Sequence, residues 1–258
     1  TASSVSYTVN ATGIVPLTGP PTPGMSTALG TRIAHGPLRD EELHAHMLEA
    51  DRRLPSWARR ISGTRTGAEE GPGTAGGQLI PTGVPAVGDL WSLNVALGCS
   101  GTLDTRTGRV MYVGTSSIIV SDTTNPAGGF TSAQYDSIGM EIDSLAYPVT
   151  TENFGDPTDL DGNGRAVFFY TRAVNELSPP ASSSVVAGYF TSRDLFSSAP
   201  GSCTLSNEGE ILYMLVPDPT GAVNSNVRTV PFVRGKTVGT AGHELQHLIN
   251  ASRRTYIT

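Results

Sequence analysis

In the first third of the chain, one segment has a regular pattern of hydrophobic and polar residues, and the segments on either side of it have none. Residues 1–30 and 61–88 are rich in Thr, Ser, Gly and Pro, which predicts an irregular lead-in and a linker. Between them, residues 37–54 place acidic side chains at the start and arginines at the end, as the helix macrodipole favours. The pattern predicts an N-terminal extension over 1–83 that contains one helix, followed by a globular domain over 84–258.

Short apolar runs rich in β-branched and aromatic residues predict strands in the globular part. These runs cover 90–96, 109–120, 165–174, 185–190 and 211–217. Residues 104–108 are expected to form the turn between the first two strands. The run at 165–174 has few polar interruptions, which is typical of a strand buried on both faces.

Two helices are also predicted in this part. The first follows an apolar stripe with spacings of three and four, at Tyr135, Ile138, Ile142 and Leu145. Thr131 or Ser132 can cap its start, and Pro148 is expected to end it. The second begins near Phe232, with Pro231 in its first turn. Strands, a helix, three strands and a final helix predict an α+β domain in which a helix lies beneath a mixed, twisted sheet.

The charge balance is mildly acidic, which disfavours a nucleic-acid surface. The formal net charge is −6 and Lys236 is the single lysine. No apolar run approaches the ~20 residues of a membrane span. The first residue is Thr1 and no signal peptide is recognisable, so we expect a processed N-terminus or an edited sequence.

Cys99 and Cys203 are the two cysteines of the chain. They lack C-x-x-C spacing and have no neighbouring histidine, which disfavours zinc binding by this pair. Two interpretations stay open, one disulfide or two buried free thiols, and the Gly/Ser/Thr-rich composition favours the disulfide. A disulfide implies an oxidising compartment, so we expect an extracellular or periplasmic protein.

The final predicted helix contains the pattern H-E-x-x-H, formed by His243, Glu244 and His247. On a helix, residues four apart lie one turn apart on one face, so both imidazoles can reach one zinc ion. Glu244 is then placed to take a proton from water. The alternative is a helix with surface histidines and no metal. Glycines at 235, 239 and 242 further predict close packing of this helix against the sheet.

A second candidate metal site precedes the strand at 165–174. Asp159, Asp161 and Asn163 form D-x-D-x-N, followed by glycine, as in the first half of a calcium loop. Tyr170 occupies the position where an EF-hand has its bidentate glutamate, so an EF-hand is excluded. Two interpretations compete: a calcium loop completed by oxygens from elsewhere, or an Asx-rich turn without metal.

On these motifs the chain resembles the zincin metallopeptidases, and most closely the secreted bacterial hyicolysin-type family. The resemblance covers roughly residues 84–250 and is carried by 154–164, 173–175, 188–190, 194–196, 206–208, 210–213 and 242–247. It implies a zincin-like mixed twisted sheet with an active-site helix. It also implies that His243 and His247 bind zinc and that Glu244 is the general base.

A catalytic zinc site of this kind needs a third protein ligand. The metzincin continuation would require glycine at position 250 and histidine at 253, where this chain has Asn250 and Arg253. A glutamate from a following helix is not found, since no acidic residue follows Glu244. Three explanations are open: a C-terminal remainder of the same precursor on a separate chain, an upstream ligand, or a domain without zinc. The upstream candidates are Glu208, Glu210, His44 and His46.

The sequence thus predicts a secreted zinc-dependent endopeptidase that hydrolyses peptide or protein substrates through metal-activated water. A competing interpretation is a calcium-stabilised extracellular binding or adhesion module that keeps a vestigial H-E-x-x-H helix. The content of bound zinc and calcium discriminates between these two classes.

Overall fold

The computed structural model describes residues 40–53 and 80–256, all within one compact unit at 36–258. The predicted lead-in at 1–30 and most of the predicted linker at 61–88 lie outside the described residues. The predicted helix at 37–54 is present as α1 (Asp40–Arg53). The domain boundary at residue 84 stays a prediction.

Six strands form one mixed sheet in the order β1-β2-β3-β4-β6-β5. They are β1 (Leu90–Asn94), β2 (Thr105–Val113), β3 (Ser117–Asp122), β4 (Ala166–Tyr170), β5 (Gly188–Phe190) and β6 (Ile211–Met214). The pairs β3/β4 and β4/β6 are parallel, while β1/β2, β2/β3 and β5/β6 are antiparallel. This mixed sheet confirms the predicted α+β fold class.

Within residues 80–256, four α-helices accompany the sheet. They are α2 (Ser132–Glu141), α3 (Tyr147–Phe154), α4 (Arg172–Glu176) and α5 (Val230–Tyr256). In the part of the chain that the structure describes, no helix combines the length and the apolar character that a membrane crossing requires.

Both faces of the sheet are covered, so β4 is buried along its whole length. One face packs against α2 and α5 through Ile138, Phe168, Tyr170, Leu212, Leu245, Leu248 and Ile249. The other face packs against α1 in a second cluster that contains Leu43 and Met47 of α1 and Trp91, Val167, Phe169, Ile211 and Tyr213 of the strands. The long helix that carries H-E-x-x-H therefore lies on one face of the sheet, as predicted.

The predicted strand at 109–120 is wrong, because the chain reverses within it. Residues 114–116 turn β2 into β3, and residues 105–108, predicted as a turn, belong to β2. Asp143 holds this turn: its carboxylate accepts hydrogen bonds from Thr115 N at 2.8 Å and Ser117 Oγ at 2.7 Å. A partner 26 to 28 residues away fixes the reversal, so no local pattern could reveal it.

The prediction that Pro148 ends the helix with the stripe Tyr135, Ile138, Ile142 and Leu145 is also wrong. Thr131 caps α2 as predicted, but the helix continues through a π-helical turn (Ile142–Ala146) into α3. In this turn Tyr147 N donates to Ile142 O, which leaves Pro148 in the first turn of a new α segment, where a missing N–H is tolerated. The extra residue also rotates Leu145 outward, and it is 56% exposed.

A disulfide joins Cys99 and Cys203, as predicted, with their Cα atoms 4.5 Å apart. It connects the segment that follows β1 to the loop that precedes β6. Cys203 is fully buried and belongs to the core cluster beneath α5.

Candidate metal centre

The H-E-x-x-H residues lie in the middle of α5. The helix begins at Val230 with Pro231 next, as the sequence predicts. Leu245, Leu248 and Ile249 are fully buried and fix the rotation of the helix about its axis. On the remaining arc His243 is exposed and His247 half-buried, which leaves both rings open to an ion from solvent.

The two imidazoles face each other across one helical turn. Their Nε2 atoms lie 3.2 Å apart, and the rings are at 75° with centroids separated by 4.8 Å. Two nitrogens bound to one tetrahedral zinc ion at 2.0–2.1 Å would be about 3.3–3.4 Å apart. The observed separation therefore fits a shared zinc ion with little movement of either ring.

Glu244 adds a carboxylate to this pair. One ligand atom from each of His243, Glu244 and His247 lies within 4.8 Å of the other two. Glu244 is only 3% exposed, although the neighbouring His243 is exposed. The group thus combines two accessible nitrogens with a carboxylate sheltered between the helix and the sheet.

The predicted close packing of the three helix glycines on the sheet is wrong. A Cβ atom on Gly235 or Gly239 would meet nothing within 4 Å, and one on Gly242 would meet Thr150 Oγ1 of α3 at 3.5 Å. The close approach instead uses a glycine of the sheet. A Cβ on Gly188 of β5 would lie 2.7 Å from Thr240 Cγ2.

The upstream residues considered as third ligands lie in other environments. Oε1 of Glu208 accepts hydrogen bonds from the backbone N and the hydroxyl of Ser198, at 2.6 and 2.7 Å. Glu210 belongs to a separate acidic group. His46 is exposed on α1, and the side chain of His44 lies outside the described part of the structure. The structure does not bring Glu208 or Glu210 into the group formed by His243 and His247.

That acidic group lies at the predicted calcium loop and adds Glu210 to the two predicted aspartates. Carboxylate oxygens of Asp159, Asp161 and Glu210 lie within 4.8 Å of one another. Asn163 instead takes part in the turn: its Nδ2 donates to Asp161 at 2.6 Å and its Oδ1 accepts from Arg165 N at 2.7 Å. The loop therefore has both features that the two sequence interpretations require, oxygens that can converge and Asx-type hydrogen bonds.

No local sequence pattern predicted that Glu210 lies at the calcium loop. The parallel pairing of β4 with β6, in which Val167 lies beside Ile211, places Glu210 next to the aspartate loop. Its carboxylate accepts from Leu160 N at 3.0 Å. Burial raises the pKa of Glu210 to about 7, and hydrogen bonds from Thr158 and Leu160 oppose that shift. A carboxyl group of this kind is poised between its neutral and charged forms.

Comparison with known proteins gives a partial match to one metalloprotease. No protein-family model matches the chain. The chain is 29% identical over 124 residues to the neutral metalloprotease ShpI of Staphylococcus hyicus. The match covers 48% of this chain and 26% of that protein, so the chain spans about a quarter of the relative's length. The similarity supports a metallopeptidase family.

Proposed function

We propose that the protein is a zinc-dependent endopeptidase that acts outside the cell. The observation that carries the proposal is the 3.2 Å separation of the two Nε2 atoms beside a buried carboxylate. Similarity to a neutral metalloprotease supports the same chemistry, and the disulfide supports an oxidising compartment. The substrate is a peptide or protein.

The side chains divide the chemistry among them. His243 and His247 would hold the ion through Nε2. When bound, zinc supplies a Lewis acid that polarises the scissile carbonyl and lowers the pKa of a water molecule to about 7. Glu244 would accept a proton from water and donate it to the leaving amine, because its carboxylate lies within 4.8 Å of the ligand nitrogens of both rings. Burial of Glu244 keeps this carboxylate in one position between the helix and the sheet.

The third protein ligand is part of the proposal. Catalytic zinc sites use three protein ligands and keep a fourth position for water or substrate. Among the described upstream candidates, Glu208 binds Ser198 and Glu210 lies with the aspartate loop, and we propose that the third ligand comes from another polypeptide. A C-terminal remainder of the same precursor is the proposed source. Mass analysis of every polypeptide in an active preparation tests this assignment.

The variant Glu244→Gln tests the general-base role. It removes the proton acceptor but preserves shape, so turnover of a peptide substrate should fall about 10²–10⁴-fold while zinc content is unchanged. Glu152→Gln, the same change at an exposed position of α3, is the matched control and should keep full activity. Normal turnover by zinc-loaded Glu244→Gln would refute the mechanism.

Metal content separates this function from the competing binding module. Stoichiometric zinc, whose removal by a chelator abolishes proteolysis, supports the endopeptidase. Calcium without zinc, in a protein that hydrolyses no peptide, supports the calcium-stabilised module, since the cluster of Asp159, Asp161 and Glu210 offers oxygen ligands suited to that ion.

A further inference from the structure

We infer that Gly188 is a positioning residue for Glu244: the missing side chain on β5 sets how closely α5 approaches the sheet and where the catalytic carboxylate lies. The inference rests on the proposed function, because it concerns the general base of that reaction. Gly188 touches no reacting group itself and acts through the side chains of α5.

The contact geometry around Gly188 is unusually tight. An added Cβ would lie 2.7 Å from Thr240 Cγ2, 2.9 Å from the backbone oxygen of Tyr213 and 3.5 Å from Glu244 Cγ. Contacts below 3.0 Å require atoms to move. Two of the three neighbours are side chains of α5, one turn apart, and one of these is the proposed general base. The helix face that carries Glu244 therefore rests directly on the backbone of β5.

Glycine is required here for space and not for backbone conformation. The φ angle of Gly188 is not in the positive range that L residues avoid, unlike that of Gly164, which is +68°. An alanine at 188 can thus adopt the strand conformation. The substitution is unfavourable because the methyl group of the alanine displaces neighbouring atoms.

The strand has little freedom to retreat from that methyl group. On the opposite face of β5, the ring of Tyr189 stacks on that of Tyr213 with centroids 4.6 Å apart and planes at 10°. The Tyr189 hydroxyl also donates to Val95 O at 3.4 Å, and residues 188–190 pair with β6. Tyr213 O belongs to the paired strand, and Glu244 Cγ at 3.5 Å is at an ordinary contact distance. The displacement therefore falls on Thr240, and it reaches Glu244 through the turn of α5 that joins the two residues.

A small displacement of a general base has a large kinetic effect. Misplacement of a reacting group by about 1 Å can lower the rate about 10²-fold. A shift of a few tenths of an ångström should therefore lower the rate by a smaller factor that is still measurable. His243 is exposed, so binding of the ion should be less affected. Gly188→Ala should lower kcat and leave KM and zinc content close to their wild-type values.

The experiment uses the zinc-loaded protein in its active form, including any associated polypeptide. Gly188→Ala is compared with Gly239→Ala, a glycine-to-alanine change on α5 next to Thr240 that meets nothing within 4 Å. We expect kcat to fall about tenfold in Gly188→Ala and to stay unchanged in Gly239→Ala. The acid limb of the pH profile of kcat/KM should also move in Gly188→Ala, because the surroundings of the base change.

The double variant Gly188→Ala/Thr240→Ser tests the contact itself. Serine removes the Cγ2 atom that meets the added methyl group, so the Ala substitution should cost less in the Thr240→Ser background than in the wild type. If Gly188→Ala alone does not fold, the Thr240→Ser background offers the added methyl group more space, so the substitution can still be tested. Failure of the Ala substitution to fold in both backgrounds would assign Gly188 a purely structural role and overturn the inference.

Two further results overturn it and leave the proposed function intact. One is unchanged kcat and pH profile in Gly188→Ala. The other is a loss of activity that only matches the loss of folded protein measured by thermal unfolding. Absence of zinc-dependent proteolysis in the wild type, by contrast, removes the proposed function itself.

Discussion

Nε2 of His243 and Nε2 of His247 lie 3.2 Å apart across one turn of α5. Without metal, one ring must donate a proton and the other must accept it, since two N–H groups cannot face each other at this distance. Binding of one divalent ion by both Nε2 atoms would require both rings to be neutral with their protons on Nδ1. The pair can therefore be hydrogen-bonded or metal-bound with almost the same geometry.

The first prediction concerns removal of one of these rings. His247→Ala should lose stoichiometric zinc after dialysis and lower peptide hydrolysis by at least about 10³-fold, because the site then keeps only two of its three proposed protein ligands. Elemental analysis and a peptide-cleavage assay measure the two effects. His46→Ala, which removes an exposed histidine on α1, is the control and should keep both zinc and activity. Loss of zinc from the control would instead point to an upstream ligand.

The second prediction concerns the π-helical turn. Asp143 accepts hydrogen bonds from Tyr112 Oη, Thr115 N, Ser116 N and Ser117 Oγ, at 2.7 to 3.2 Å. Asp143→Ala leaves these donors without their acceptor, so the free energy of unfolding should fall by about 2–4 kcal/mol. Urea denaturation measures it. Asp136→Ala, on the exposed face of α2, should change it by less than about 0.5 kcal/mol. Equal effects of the two substitutions would contradict the anchoring role of Asp143.

The third prediction concerns the disulfide, which joins residues 104 positions apart. Closing a loop of that size lowers the entropy of the unfolded chain and stabilises the fold by about 4–5 kcal/mol in the loop-entropy model. Addition of a reductant should therefore move the urea midpoint of the wild type to a lower concentration. The double variant Cys99→Ser/Cys203→Ser should start at that lower midpoint and not respond to reductant. A reductant-insensitive wild type would show that the bridge contributes little.

The fourth prediction concerns Glu210 in calcium-free protein. Burial raises its folded-state pKa to about 7 from 4.5, so the native state keeps a proton that the unfolded state releases. Its contribution to stability is therefore fully present below about pH 4.5 and is lost as pH rises through about 7. Urea denaturation at pH 5 and pH 8 should show this loss in the wild type and not in Glu210→Gln.

Added calcium separates the two interpretations of the aspartate loop. An ion shared by Asp159, Asp161 and Glu210 would favour their charged forms and restore the stability lost at pH 8. Glu210→Gln should not respond to calcium. If wild-type stability at pH 8 is indifferent to calcium, the loop is an Asx-rich turn without metal.

The sequence by itself determined the features that depend on spacing along the chain. The i, i+4 spacing of His243 and His247 places both rings on one face of any helix, and the apolar face of α5 fixes which face is buried. The charge gradient of α1 and the Thr131 cap of α2 are equally local. The cysteines could be paired because the chain has two.

Only the tertiary structure decided the features that depend on distant partners. Asp143 reverses the chain between β2 and β3, and the register of β4 with β6 brings Glu210 to the aspartate loop. Space for α5 comes from Gly188 of the sheet and not from the helix glycines that the sequence suggested. Helical and strand periods report how a segment orders its own side chains. They do not show which other segment a helix or strand packs against. The positions of the Glu210 and Glu244 carboxylates depend on that packing, so only the tertiary structure reveals them.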